Sequence, residues 1–113
     1  YHLLGKRLHI YKVMITGKAK ELFLKWFKEE KLMTGFDDKP IYTKIFLLCE
    51  WFKLNNYCIS VKSNYVGGDY SAKISFNEGD IDTLFHKDLE TAYVRAIEIS
   101  NEEFNDRHEI AVP

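Results

Sequence analysis

The sequence predicts an α+β fold, a two-layer sandwich in which three helices pack on one face of an antiparallel meander of three to four strands. Three stretches repeat apolar residues at helical spacing, and two stretches of alternating apolar and polar residues flank Gly67-Gly68. With 113 residues, 46% of them hydrophobic, the chain is long enough for one core and too short for two. We expect a single α+β domain over residues 14–108, an N-terminal extension or strand at 1–13 and a tail at 109–113.

The N-terminal third of the chain predicts a strand followed by a helix. Residues 8–15 are rich in β-branched and aromatic side chains, although apolar residues occupy both faces. Thr16 is a candidate N-cap for an amphipathic helix from about Gly17 to Lys31. The core stripe of this helix consists of Ala19, Leu22, Phe23, Trp26 and Phe27. The opposite face carries a candidate basic surface of Lys20, Lys25, Lys28 and Lys31.

A second helix is predicted at Pro40, because a proline in the first helical turn lacks an N–H that would have no intrahelical partner. Its inner stripe consists of Ile41, Ile45, Leu48, Cys49 and Phe52, and Asn55-Asn56 ends it. Leu47 and Trp51 widen the apolar surface, so the helix either packs on two sides or contributes a candidate interface. A homodimer formed through this interface or through an exposed sheet edge is one hypothesis.

A β-hairpin is predicted around Gly67-Gly68, with strands at about 57–64 and 70–76. A two-residue turn at these glycines sets Tyr65 opposite Tyr70, Ser63 opposite Ala72, Val61 opposite Ile74, and Ile59 opposite Phe76. All these residues lie on one face, and Ser60, Lys62, Ser71, Lys73 and Ser75 lie on the other. The alternation indicates a sheet with helices on one side and water or a partner on the other.

The segment after the hairpin predicts a short strand and a final helix. Asn77-Glu78-Gly79-Asp80 reads as a turn, and Ile81 to His86 is the strand candidate. Asp88 is expected to cap the helix, which runs to about Arg107. Its outer face carries a candidate acidic surface of Glu90, Glu98, Glu102 and Asp106.

Parts of the helices carry a resemblance to known proteins. They are Ile15 to Glu21 with Phe23 and Trp26-Phe27, the helix through Phe46 and Trp51-Phe52, and Ala92, Ala96-Ile97-Glu98 and Asn101-Glu102. Together they resemble small uncharacterised proteins of phages and mobile elements in Bacteroides-type gut bacteria. The resemblance covers roughly residues 14–107, departs between the hairpin and the final helix, and has Met14 where such proteins start. It implies an accessory context and no mechanism.

The charge of the chain is unevenly distributed, although the formal net charge is −1. Residues 1–35 carry a net charge of +5, and residues 77–109 carry −7. The lysine face, with Lys6, Arg7 and Lys12, is either a phosphate-binding surface or a solvated helix face with pairs such as Glu21–Lys25. The acidic face either imitates a nucleic-acid backbone or maintains solubility. The aromatics of the first helix lie on its core stripe, which argues against base stacking.

No catalytic or cofactor motif is present. His2, His9, His86 and His108 are dispersed, and Cys49 and Cys58 lack metal-type spacing, so we expect no metal, no cofactor and no enzymatic activity. Buried free thiols are the first interpretation of the two cysteines, and a disulfide or a reactive thiol are the alternatives. No stretch suits a secretory signal or a membrane span, so a cytoplasmic protein is expected.

The function that these observations favour is that of a small phage-like accessory protein that acts by protein–protein interaction with an unknown partner. The alternative is a weak nucleic-acid-binding module that uses the lysine face of the first helix. The two differ in salt response, because phosphate binding weakens steeply as salt rises.

Overall fold

Within the described residues, three α-helices and a three-stranded antiparallel sheet form the α+β fold that the sequence predicts. The computed structural model describes residues 15–64 and 66–111, with side chains up to His108. The helices are α1 (Gly17–Glu29), α2 (Ile41–Leu54) and α3 (Leu89–Ala111). The strands are β1 (Cys58–Ser63), β2 (Tyr70–Phe76) and β3 (Gly79–Asp82), in the order β1-β2-β3. Of the strand predicted at 8–15, residues 8–14 lie outside the described residues, as do the extension at 1–13 and Tyr65, and the described residue Ile15 is buried but not in a strand.

The helices pack on one another and on one face of the sheet. The contacts of α2 and α3 include the sheet, whereas α1 packs mainly against α3 and α2. Aromatic rings join the three helices, with the Trp51 ring centroid 5.9 Å from that of Phe23 and 5.1 Å from that of Phe104. Ile74 of β2 is fully buried beneath the helices. One continuous hydrophobic core therefore includes both layers.

The N-terminus of α1 is capped by side chains of α3. Thr16 occupies the predicted N-cap position, but its side chain makes no capping bond to α1. Instead, the Ala19 N–H donates to Asn105 Oδ1 at 2.8 Å, and the Thr16 N–H donates to Asn101 Oδ1 at 2.9 Å. Asn101 Nδ2 donates in turn to Thr16 Oγ1 at 2.9 Å. These bonds satisfy donors that the first turn of a helix leaves without intrahelical partners, so they attach α1 to α3.

The other two helices begin within one residue of the predicted positions. Pro40 directly precedes α2, so the proline is the N-cap residue rather than part of the first turn. Asp88 accepts the Thr91 N–H at 2.7 Å and so caps α3 as expected. The last helix is longer than the sequence suggested, because it continues through Ala111.

The β1–β2 register differs from the predicted one by two residues. Ser63 pairs with Tyr70, Val61 with Ala72, and Ile59 with Ile74. The Asn64 N–H donates to the Asp69 carbonyl at 2.7 Å, so residues 65–68, rather than two glycines alone, connect the strands. A shift of two residues leaves every side chain on its predicted face, which is why the alternation could not distinguish the two registers.

The third strand lies earlier in the chain than predicted. Instead of Ile81 to His86, β3 spans Gly79–Asp82, and His86 joins the sheet only by a single bridge to Tyr70. The reason lies in the turn, because Gly79 has a φ of 140° and already pairs with Phe76. No helix in the described ranges is long and apolar enough to span a membrane.

Candidate functional site

The outer face of the sheet is the face that the helices leave uncovered. Ala72 and Ile74 of β2 are buried on the inner face, and successive side chains of a strand point to opposite faces. The outer face therefore carries the polar residues that the sequence assigned to it, Ser60, Lys62, Ser71, Lys73 and Ser75. A partner can approach this surface without displacing any helix.

A groove of about 190 Å³ lies on this outer face. Its lining consists of Ser60, Val61, Lys62, Ser71, Ala72, Lys73 and Asp82. Lys73 Nζ lies 3.5 Å from Asp80 Oδ2, whereas Lys62 has no ion pair within the described residues. The ammonium group of Lys62 is thus the available cation of the groove.

A β-bulge borders the groove at the end of β3. The Thr83 N–H donates to the Ala72 carbonyl at 2.9 Å, and the Ala72 N–H donates to Thr83 Oγ1 at 3.0 Å. Tyr70 and His86 exchange two backbone hydrogen bonds of 2.8 Å. Two residues, Leu84 and Phe85, therefore lie opposite the single residue Ser71, which is the arrangement of a bulge.

The two bulge residues are the most exposed neighbouring apolar pair on the described surface. Leu84 is 85% exposed and Phe85 is 69% exposed. The hydrogen bonds of Thr83 and His86 to β2 hold the backbone on both sides of the pair. A bulge can redirect side chains relative to the regular alternation of a strand, so the structure presents two apolar side chains from a restrained backbone.

The sequence analysis did not single out Leu84 and Phe85, because both fell inside the predicted strand from Ile81 to His86. The sequence nevertheless contains a pattern that could have identified the bulge. Ile81, Thr83 and Phe85 share one face of a regular strand, so Leu84 places a second apolar side chain on the opposite, polar face. That interruption of the alternation is typical of a bulge.

The predicted basic surface is only partly available. Lys20, Lys25 and Lys28 are exposed on α1 and have no ion pair among the described residues. Lys31 differs from them in being paired, because its Nζ is 2.7 Å from Glu50 Oε2 and 5.4 Å from the Trp26 ring centroid. Lys6, Arg7 and Lys12 lie outside the described residues.

The predicted acidic surface is interrupted by basic residues. Glu102 and Asp106 are exposed one turn apart on α3, but Glu98 lies 3.5 Å from Arg95 and Glu90 is half-buried. Arg107 lies beside these residues on the same helix and pairs with Glu78. The four carboxylates therefore do not form one continuous unpaired strip.

The structure corrects the predicted interface at Leu47 and Trp51. Trp51 is only 4% exposed because its ring packs against Phe23, Phe52 and Phe104, and Leu47 packs partly against the same core. Of the two alternatives for α2, packing on two sides is therefore the one observed at Trp51. The most exposed aromatic residue of this helix is Phe46, at 57%.

The described residues show no grouping suited to metal chemistry. No set of three His, Cys, Asp or Glu side chains within residues 15–64 and 66–108 is placed to hold a metal ion. Both cysteines are free thiols, with Cys58 exposed and Cys49 partly buried. Burial, with a smaller effect of nearby Cys58, raises the pKa of the Cys49 thiol to about 12, so this thiol stays protonated at neutral pH. His2 and His9 are outside the described part.

No protein-family model, curated protein or solved structure matches the chain. The functional conclusion therefore depends on the geometry of the outer sheet face and the bulge.

Proposed function

We propose that the chain is a small accessory protein that binds another protein, with Leu84 and Phe85 as its main anchors. The observation that carries this proposal is the exposure of both side chains on a bulge that hydrogen bonds attach to β2 on either side. A few well-packed residues near the centre of an interface supply most of its binding free energy, and burial of a large apolar side chain is favourable. Leu84 and Phe85 are suited to that role because nothing in the described part of the chain covers them.

The restrained backbone supports the proposal energetically. Burying a Leu or Phe side chain in a partner contributes about 1.5–3 kcal/mol. Ordering a flexible loop on binding costs free energy, which normally cancels part of this gain. A loop that is already ordered in the free protein incurs a smaller cost. Within residues 83–86, the four hydrogen bonds to Tyr70 and Ala72 are in place before any partner binds.

Features of the sequence also support an accessory role in binding. The resemblance to small proteins of phages and mobile elements supports an accessory role. The histidines are dispersed along the chain, which favours binding over cofactor-independent catalysis. Two free thiols agree with action in the reducing cytoplasm.

An affinity capture experiment tests the anchors. The full chain is immobilised and exposed to host lysate with and without nuclease, and bound proteins are quantified by mass spectrometry. The double variant Leu84→Ser with Phe85→Ser is compared with Leu32→Ser, a matched control whose leucine is 83% exposed elsewhere on the surface.

The expected result is a nuclease-resistant protein that the wild type and Leu32→Ser retain in equal amounts and that the double variant loses by at least tenfold, which corresponds to about 1.4 kcal/mol. Equal retention by the double variant, or retention only without nuclease, contradicts the proposal. Circular dichroism checks that the variant is folded, since removing exposed apolar atoms leaves the core unchanged.

Nucleic-acid binding is the second candidate, because Lys20, Lys25 and Lys28 are exposed without ion pairs in the described part. A labelled single-stranded oligonucleotide, titrated at several salt concentrations, tests it. Binding through three lysines gives a log–log slope of roughly −2 for single strands, and replacing all three lysines by Gln abolishes it. A salt-independent signal, or one that survives the triple substitution, excludes this surface.

A further inference from the structure

The groove and the bulge lie side by side on the outer face of the sheet. Lys62 pairs with Ser71 across β1 and β2, and the bulge lies opposite the same Ser71 on the other side. Lys62 and the bulge are thus two strand spacings apart, or about 10 Å. Both belong to one row across the sheet, so a single segment of a partner can reach both.

The charges of the groove favour one carboxylate. Lys62 and Lys73 contribute two positive charges and Asp82 one negative charge to its lining. Asp80 Oδ2, 3.5 Å from Lys73 Nζ, offsets the charge of Lys73, so Lys62 is the ammonium group of the groove without an ion pair among the described residues. A chain of phosphates would face both aspartates, whereas a single carboxylate can contact Lys62 and accept hydrogen bonds from the hydroxyls of Ser60 and Ser71.

We propose that the partner presents an extended segment in which an Asp or Glu side chain enters the groove at Lys62 while an apolar side chain packs on Leu84 and Phe85. This inference rests on the proposed function and specifies the chemistry of the partner. An extended chain advances about 3.3 Å per residue and only alternate side chains share a face, so the separation of about 10 Å lies between that of side chains two positions apart, about 7 Å, and four positions apart, about 13 Å.

A peptide display experiment tests this chemistry without knowledge of the natural partner. A library of random dodecapeptides is selected on the immobilised full chain, and the selected peptides are sequenced. The expected consensus contains an acidic residue two or four positions from a large apolar residue. Recovery of peptides without a carboxylate, or of no peptide at all, overturns the inference.

The affinity of the strongest selected peptide is then measured by fluorescence anisotropy for the wild type and for variants at Lys62. Lys62→Gln weakens binding about threefold to fivefold, as expected for a solvent-exposed ion pair, and the loss shrinks at high salt. Lys62→Arg retains the affinity, and the matched control Lys25→Gln on α1 leaves it unchanged. Equal affinity of Lys62→Gln and the wild type contradicts the inference.

The two proposals fail in different ways. If lysate capture depends on Leu84 and Phe85 but selected peptides ignore Lys62, the protein-binding function stands and the carboxylate site is wrong. If capture does not depend on the bulge, the proposed function itself is wrong.

Discussion

Gly17, the first residue of α1, combines a left-handed backbone with a close contact to α3. Its φ is 61°, and a Cβ atom at this position would lie 2.9 Å from Asn105 Nδ2. Asn105 cannot retreat without losing its hydrogen bonds to Ala19 N–H and to the Thr16 carbonyl. The position therefore requires glycine for two independent reasons.

Gly17→Ala is expected to destabilise the protein more than Gly68→Ala. Both glycines have left-handed backbones, but Gly68 has no atom within 4 Å of the Cβ position. Backbone strain costs about 1–2 kcal/mol at either site, and only Gly17→Ala adds the steric conflict with Asn105. Urea denaturation measures the free energy of unfolding of both variants, and equal losses would show that the contact with Asn105 contributes nothing.

Cys49 makes the stability of the protein depend on pH in the alkaline range. Its pKa is raised from 9.0 to about 12 by burial, so the unfolded chain loses this proton at a lower pH than the folded chain. The stabilisation is complete below pH 9 and is lost as pH rises from about 9 to 12. Burial also raises the pKa of Tyr57 and Tyr93, which adds to the fall above pH 10.

The free energy of unfolding is therefore expected to decrease between pH 9 and 12, and to decrease less in Cys49→Ala. Chemical denaturation at several pH values provides the measurement. Cys58→Ala, at an exposed position, serves as the control and keeps most of the dependence, because the charge of Cys58 is the smaller of the two causes. A profile in Cys49→Ala as steep as that of the wild type would exclude the buried thiol as its source.

At the scale of elements, Arg107 links α3 to the sheet. Its guanidinium pairs with Glu78 in the β2–β3 turn and lies 5.0 Å from the Phe76 ring centroid and 5.6 Å from that of Tyr57. An Arg side chain combines an ion pair with stacking on aromatic rings, and a Lys side chain reproduces mainly the charge. The contact therefore depends on the shape of the guanidinium as well as on its charge.

Substitutions at Arg107 are expected to lower the urea midpoint in a defined order. Arg107→Ala loses both the ion pair and the stacking, whereas Arg107→Lys loses mainly the stacking. The urea midpoint of Arg107→Lys is therefore expected between those of Arg107→Ala and the wild type. The control is Arg95→Ala, on the same helix, which removes a surface pair with Glu98 and changes the midpoint less. If the urea midpoint of Arg107→Lys equals that of the wild type, the ring contacts do not contribute to stability.

The elements themselves were largely predictable from local patterns. The stripe of Ala19, Phe23 and Phe27 defined α1, and all three side chains are buried. The hairpin register was not predictable, because moving the pairing by two residues keeps Val61 and Ile59 on the same face. The choice between these registers depends on the loop between Asn64 and Asp69, not on alternation.

At the scale of the whole molecule, one core joins the helices to the sheet. Trp51 of α2 packs on Phe104, and Phe104 lies 6.2 Å from the ring of Tyr57, which in turn stacks on Phe76 of β2. No described element has a separate core. The homodimer suggested by the sequence stays a prediction.

Unfolding is accordingly expected to be a single cooperative transition. Tryptophan fluorescence follows Trp26 and Trp51 in the helices, and far-ultraviolet circular dichroism follows helices and sheet together. The two transitions should coincide in urea, as they do for a single domain of this size. Separate midpoints would mean that the helices and the sheet unfold as different units.

The prediction of the fold class depended on short-range rules, and those rules operate within one turn or one strand. Helical spacing, the Asp88 cap and strand alternation are of this kind, so they could be read from neighbouring residues. The capping of α1 by Asn101 and Asn105 joins residues 85 to 89 positions apart. The burial of Trp51, the ion pair of Lys31 with Glu50, and the bulge that exposes Leu84 and Phe85 likewise depend on which elements meet in space. Such contacts are set by packing between distant segments, which no local pattern encodes.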